Sequence, residues 1–571
     1  MYPNINVPVA LRHPGGLPAG DMPGRDGPFR GCGAFTLILL ATWLVAVMHI
    51  YIPNAGGTGP ELPQNAVAWC VAASCVLAAC AGLLRRRPAV TTGVIRPALA
   101  GATLLLLPLL WDPLPLWRDH ALMRAAGIAG AFCFLVALLQ VPFNDARRRA
   151  VAGMILLSAL VQALTAMVQA WLPDLALRLM DFTGYSPYGI FQQRNVLASW
   201  LATGCGVALW LAVTAGRRRG ALLCCLTLFP LTAAVVLTES RIGAIGTLVI
   251  LAAGAAADLS RRRLTRGVLL RRLLLVSLLA LQAFLVSHFA MPGGPGRQAN
   301  FEHAGSTRER LLVLKGTWHL IKEHPLAGSG EGSFEALFPD ALENSGLTSI
   351  ESDTFTHPHN EMLYVWAEGG VLALSGLLLL AGLWLWPVVR QLRRRGDEPA
   401  IPAGWLLSLT GLPVVLHMQT EYPLYLSAAH LLVLILLFRA GLPAGMLRTT
   451  VVPRPLRRSL RAAAVVPGLL CLAVLAVLTA GQHTQLVLTR NEQALAAGAP
   501  LPAPFPPDGW RTLTQRERLD YDRHMASLLV DWSQTHDPQV LAGFTVWGRD
   551  WLQVHNSEEV MAAMMMLAYR R

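Results

Sequence analysis

Four stretches of this chain put reactive residue types where such residues are costly. Arg194 stands in Gly189-Ile-Phe-Gln-Gln-Arg-Asn195, and Arg241 in Thr238-Glu-Ser-Arg-Ile-Gly243, each beside a long apolar run. An arginine at a bilayer centre costs about 3 kcal/mol on insertion scales, so one beside a span needs a task, a partner or an interfacial snorkelling position. Arg310 closes Ser306-Thr-Arg-Glu-Arg310, ahead of the amphipathic helical stretch Leu311–Ile321, which His324-Pro-Leu-Ala-Gly-Ser-Gly330 breaks. Thr356-His-Pro-His-Asn-Glu361 comes next, just before another apolar run. Two histidines, an Asn and a Glu at a membrane boundary offer proton transfer near neutral pH, and they equally make a helix cap. His357 and His359 have no obvious third ligand in the sequence, so no metal is expected there. Arg118 and Arg124 flank Asp119, the spacing of a surface ion pair.

These residues must be held by membrane helices. Of 571 residues, only 14% are charged and 54% are apolar, and mean hydropathy is +0.46. That excludes a cytosolic enzyme, a secreted domain or a disordered chain. Spans are expected near 33–52, 66–84, 97–111, 122–142, 151–172, 195–215, 220–238, 242–258, 268–290, 366–389, 402–417, 425–440 and 463–480. Each approaches the roughly 20 apolar residues a crossing needs, with the third and eleventh short. Alternating from a cytoplasmic N-terminus puts 29 arginines on inside segments and five on short outside loops. The inside ones form blocks, from Arg12, Arg25 and Arg30 through Arg85–Arg87, Arg147–Arg149, Arg217–Arg219, Arg261–Arg263 and Arg393–Arg395. This is the positive-inside bias, so the basic balance of +13 reflects topology and not nucleic acid.

The expected organisation is a cytoplasmic segment over 1–32, spans over 33–290, a periplasmic loop over 291–365, spans over 366–480 and a helical periplasmic tail over 481–571. The first span reads as an uncleaved signal anchor. Nine cysteines, all before or within apolar runs, argue against a disulfide framework or a zinc site. No G-x-x-x-x-G-K-[ST] stretch is present, so the chain does not read as a P-loop ATPase. Asp520-Tyr-Asp522 has the form nucleotide-sugar enzymes use for a metal, but it falls in the outer tail and reads as chance.

At these motifs the sequence resembles the O-antigen ligase/polymerase superfamily, and within it the bacterial O-linked oligosaccharyltransferases. Tyr188-Gly-Ile-Phe-Gln-Gln-Arg-Asn-Val-Leu-Ala198 is similar to the signature of the protein-glycosylating branch. Glu239-Ser-Arg-Ile-Gly243, Arg310 with His324–Gly330, and His357-Pro-His-Asn-Glu361 with Glu368-Gly-Gly370 resemble the superfamily's other patterns. Glu421-Tyr-Pro-Leu-Tyr425 and the outer tail fit the same branch.

The resemblance implies an all-α polytopic, GT-C-like protein of 12–13 spans in the bacterial inner membrane, its site facing the periplasm. It implies transfer of an oligosaccharide from undecaprenyl pyrophosphate to Ser or Thr of a pilin or other periplasmic protein. Membrane lipid is the further partner, and no cofactor or metal is expected. Pyrophosphate is a stable leaving anion, so the chemistry asks for positive charge where negative charge develops. Guanidinium forks suit phosphate oxygens, which assigns Arg241 and Arg310 that role. A neutral imidazole can take the acceptor's proton, a role the resemblance gives to His359. Arg194, Gln193, Asn195, His357, Asn360 and Glu421 complete the expected site. Lipid A-core ligation and repeat-unit polymerisation share this apparatus and stay open; a transporter is the reading from another class.

Overall fold

Backbone polar groups find no water inside a bilayer, so a spanning segment closes its hydrogen bonds within itself as a helix. The computed structural model of the chain follows that constraint, and it describes residues 30–84, 89–182, 184, 186–260, 265–291, 304–346, 354–393 and 404–569. Arg12, Arg25, Arg85–Arg87, Arg261–Arg263, Arg394 and Arg395 of the charge argument lie outside the described residues, as do 1–29, 292–303 and 347–353.

The first part of the chain forms α1 (Arg30–Val45), α2 (Pro63–Leu83), α3 (Ile95–Leu106), α4 (Pro115–Leu139), α5 (Asp145–Trp171) and α6 (Pro173–Met180). It continues as α7 (Arg194–Thr214), α8 (Arg218–Leu226), α9 (Leu228–Leu237), α10 (Arg241–Ser260) and α11 (Arg266–Phe289). The long loop folds as α12 (Ala304–Glu323) and α13 (Phe334–Asn344). Then follow α14 (Glu361–Arg393), α15 (Gly404–Leu409), α16 (Leu412–His417), α17 (Pro423–Leu426), α18 (Ala428–Gly441) and α19 (Leu456–Ala496). The tail adds α20 (Arg516–Ala526), α21 (Trp532–Thr535), α22 (Pro538–Trp551) and α23 (Glu558–Tyr569).

Among the described residues, nine helical segments are long and apolar enough to cross a membrane. Four shorter apolar ones, Ile95–Leu110, Arg241–Gly254, Gly404–His417 and Ala428–Gly441, accompany them. Each expected span coincides with one of these segments. The protein is an all-α, multi-pass membrane protein. Among the described residues one ribbon of strand is present: β1 (Ala89–Thr92) pairs antiparallel with β2 (Arg448–Val451), Ala89 opposite Val451. Its Val and Thr residues favour that extended state, a local signal the span-by-span reading passed over.

The helices nest around α7. In its apolar stretch 83% of residues are buried within the protein, against 6% for α11, so α7 is the central post and α11 a lipid-facing wall. Small residues allow the close packing. A Cβ on Gly204 would stand 2.5 Å from that of Ala159 on α5, and one on Gly206 would meet Thr410 and Ile250. The loop has its own core, in which Val313, Leu320 and Ile321 of α12 meet Phe334 and Phe338 of α13 and Tyr364 of α14. That core fixes α12 across the N-terminal end of α14 and so places Arg310.

Candidate active site

Glu421 is the point where the motifs meet. It occupies the break between α16 and α17, where Pro423 disfavours helical backbone in the residue before it. The carboxylate is 4% exposed and fully engaged. Arg310 Nη2 donates to Oε1 at 2.6 Å, and Asn195 Nδ2 donates to the same oxygen at 2.6 Å. Gln193 Nε2 donates to Oε2, and His417 Nε2 lies 3.2 Å from that oxygen. Gln193 also serves the helix it precedes, because its Oε1 accepts from the Val196 N–H at 3.0 Å and caps α7. Burial alone would raise the Glu421 pKa, but His417, Gln193 and Arg310 overcome that and bring it to about 2. The residue is therefore an anion at any physiological pH, and it aims a guanidinium.

His359 stands beside this pair, in an uncommon left-handed conformation with φ 56°. Its backbone N–H donates to His357 Nδ1 at 2.9 Å. Burial is the main cause that lowers the His359 pKa, and nearby Glu421, which raises it, does not prevent a value of about 4. The ring is half-buried, and its Nδ1 has no hydrogen-bond partner among the described residues. It is a neutral imidazole at neutral pH, close to a guanidinium and a carboxylate.

His357 and Asn360 are turned to construction. His357 is buried against Tyr364, Tyr422 and Tyr425, with ring centroids at 4.4, 4.7 and 5.7 Å. Burial lowers its pKa despite Glu361 nearby. Asn360 Oδ1 accepts from the Leu363 N–H at 3.0 Å and caps α14, while its Nδ2 donates to the Gln419 carbonyl at 3.1 Å. Asn360 thereby ties the His359 turn to the Glu421 turn.

Arg241 and Arg194 open neighbouring helices at the same end. A Cβ on Gly243 would lie 2.3 Å from that of Ala198, so only glycine lets the start of α10 abut the start of α7. Ser240 Oγ accepts from the Gly243 N–H at 3.1 Å and caps α10. Both arginines are half-buried there, next to the Gln193–Asn195 corner.

The structure corrects one reading and adds two sets of residues that the sequence did not flag. Arg124 does not form a surface pair with Asp119. It stands half-buried between Glu331 of the loop and Glu368 of α14, with its guanidinium 4.8 Å from the Tyr364 ring centre. The glycines of the loop motif explain why the partners come from so far. Gly328 has φ 78°, and a Cβ there would meet the Glu368 carbonyl; Gly370 has φ 66°, and a Cβ there would meet the Leu326 carbonyl. The two glycine-rich stretches interlock backbone to backbone, and Arg124 locks them from below. One cation faces two carboxylates, with Asp112 adjacent. Burial is the main cause raising Glu331 to about 7, and Arg124 opposes it.

The second unforeseen set lies beneath Glu421. His417 Nδ1 is 3.0 Å from Ser199 Oγ, Ser199 Oγ is 3.2 Å from His430 Nε2, and His430 Nδ1 is 2.8 Å from Ser427 Oγ. All four are 2% exposed or less. The Val196 carbonyl, 3.1 Å from His430 Nε2, requires the proton on that nitrogen. The Ser199 hydroxyl is also 3.0 Å from the Val196 carbonyl, and His417 Nε2 stands against the Glu421 carboxylate, so His417 links this buried set to Glu421. In sequence these residues sit in apolar helices at unrelated positions, and only folding aligns them.

Asp520 and Asp522 have separate partners and surroundings: Asp520 Oδ2 accepts from Trp547 Nε1 at 2.7 Å, while Asp522 is buried. Among the described residues, the group spaced to hold a metal ion is His120, Glu517 and His555, and it includes neither His357 nor His359.

A carboxylate-held arginine, a neutral histidine and two further arginines thus gather near the starts of α7, α10 and α14. Residues 226–378 match the O-antigen ligase family, and residues 187–212 match the protein glycosylation ligase family. Together the two matches support a glycosylation ligase similar to the O-antigen ligases. The first match spans Arg241, Arg310, His357, His359 and Asn360; the second spans Gln193, Arg194 and Asn195; Glu421 lies in neither. No curated protein matches the chain.

Proposed function

We propose that this protein transfers a preassembled oligosaccharide en bloc from undecaprenyl pyrophosphate to Ser or Thr hydroxyls of a pilin or other periplasmic protein. Its place is the bacterial inner membrane, with Glu421 and His359 on the periplasmic face. The observation that carries the reading is the convergence of Gln193, Asn195 and Arg310 on Glu421 beside a neutral His359.

Arg310, held by Glu421, binds the pyrophosphate and offsets the charge that grows on it as the anomeric bond breaks. Arg241 and Arg194 supply further positive charge at the outer ends of α10 and α7. His359 accepts the proton of the attacking hydroxyl. Attack opposite the leaving pyrophosphate inverts the anomeric centre. Apolar spans hold the polyprenyl chain, and no step calls on a metal.

A second reading is transfer to lipid A-core, and the long O-antigen ligase match favours it. One experiment separates the two. Purified protein is mixed with undecaprenyl-pyrophosphate oligosaccharide, a pilin-type acceptor and lipid A-core, without nucleotide. A glycan-sized mass shift on the pilin is expected, with a loss on the order of 10²-fold or more in Arg310→Ala at matched abundance. Glycan on lipid A-core alone would establish the second reading. Full activity in Arg310→Ala would remove that residue from the mechanism.

A further inference from the structure

Three segments distant in sequence meet at a group of side chains that glycan transfer does not use. His120 lies near the start of α4, Glu517 in the first turn of α20, and His555 in the turn between α22 and α23. One ligand atom from each lies within 4.8 Å of the other two. His120 Nδ1 is 2.9 Å from Glu517 Oε1, and the two imidazoles meet edge to face with centroids 5.1 Å apart.

His555 is held from behind. Its Nδ1 is 3.3 Å from Glu335 Oε2, and Trp551 stacks on the ring at 4.1 Å. Glu335 is buried and also accepts from the Asn556 N–H at 3.0 Å, so it cannot swing away. A carboxylate behind Nδ1 keeps the proton on that nitrogen and leaves the lone pair on Nε2. That is the support found behind metal-bound histidines. Gly332 of the loop passes close to His120, since a Cβ added there would lie 3.3 Å from the ring, so the loop backbone runs beside this group.

We propose that His120, His555 and Glu517 form a zinc site that clasps the C-terminal tail to α4 and to the long loop. Two imidazoles and one carboxylate suit a borderline ion such as Zn²⁺, whereas calcium and magnesium favour all-oxygen sets. Zinc bonds of about 2.0–2.1 Å place tetrahedral ligand atoms about 3.4 Å apart, so the group has to contract slightly. The side chains of His120 and Glu517 are 30% and 40% exposed, which gives them freedom to rotate and leaves the fourth position to water. The site would tie together a membrane helix, the loop carrying Arg310 and a tail that otherwise follows a Pro-rich linker. It lies apart from Glu421 and has a structural role.

The test uses the purified full-length chain, stripped with chelator and titrated with zinc alone. One zinc per chain is expected beyond whatever the His120→Ala/His555→Ala variant retains. The nine cysteines are present in both, so the difference isolates this site. Zinc should raise Tm and slow proteolysis within 500–571 in the parent and not in the variant. Glu517→Gln keeps the side-chain shape and should weaken zinc binding at least tenfold, which covers the case of a poorly folded double variant. Equal zinc content in parent and variants, or no zinc retained by the parent, would overturn the proposal.

Discussion

His359 is the residue whose chemistry pH can expose. Its pKa is lowered to about 4, chiefly by burial, so the ring remains a usable base well below the ordinary histidine range. Glu421, at about 2, keeps its charge over the same interval and does not confuse the reading. Transfer should therefore persist to about pH 5 and fall as pH drops through about 4. A step near 7 would belong to Glu331 and the Arg124 lock. A pH–rate profile checks this, and activity already lost by pH 5.5 would sink the assignment. The stability sign runs the same way. The folded-state pKa lies below the unfolded value, so the contribution is complete above about 6.5 and is lost as pH falls towards 4. His359 was legible in the sequence because a histidine pair beside Asn360 and Glu361 at a span boundary stands out. The roles of its neighbours were not, since capping and substrate contact call for the same residue types.

At the scale of elements, the site is a matter of helix starts. α7, α10 and α14 each begin at a capped polar residue, and Arg194, Arg241 and His359 lie within two residues of those starts, while Arg310 comes from within α12. Gly243 decides how close two of the starts come. Gly243→Ala adds a methyl 2.3 Å from that of Ala198, so α10 must shift and carry Arg241 with it. The expected outcome is a protein that still reaches the membrane but loses transfer at least tenfold, with stability down by about 1–3 kcal/mol from overpacking. Matched-abundance transfer assays with thermal unfolding in detergent measure both. Unchanged activity would show that the close contact does not set the position of Arg241. The helices themselves were readable from length and hydropathy, down to the short third and eleventh spans. The pairing of Arg124 was not, because Glu331 and Glu368 lie more than two hundred residues away in the chain.

For the molecule as a whole, the charge pattern forecasts which face is outside. An alkaline phosphatase fusion after residue 346 should be active, and a fluorescent-protein fusion after residue 216 should glow, because loops rich in arginine stay cytoplasmic. The reverse pair of results would invert the topology and place the site on the wrong side for a flipped donor. The sequence by itself determined the class of the protein, the places of its apolar segments and the motifs that stand at their ends. Those follow from local properties: run length, periodicity and charge. Only the tertiary structure decided that Glu421 gathers Gln193, Asn195 and Arg310, that His417, Ser199 and His430 stand behind it, and that Arg124 locks the loop. Each of those depends on helices packing at glycine contacts, where a single methyl group changes which side chains can meet.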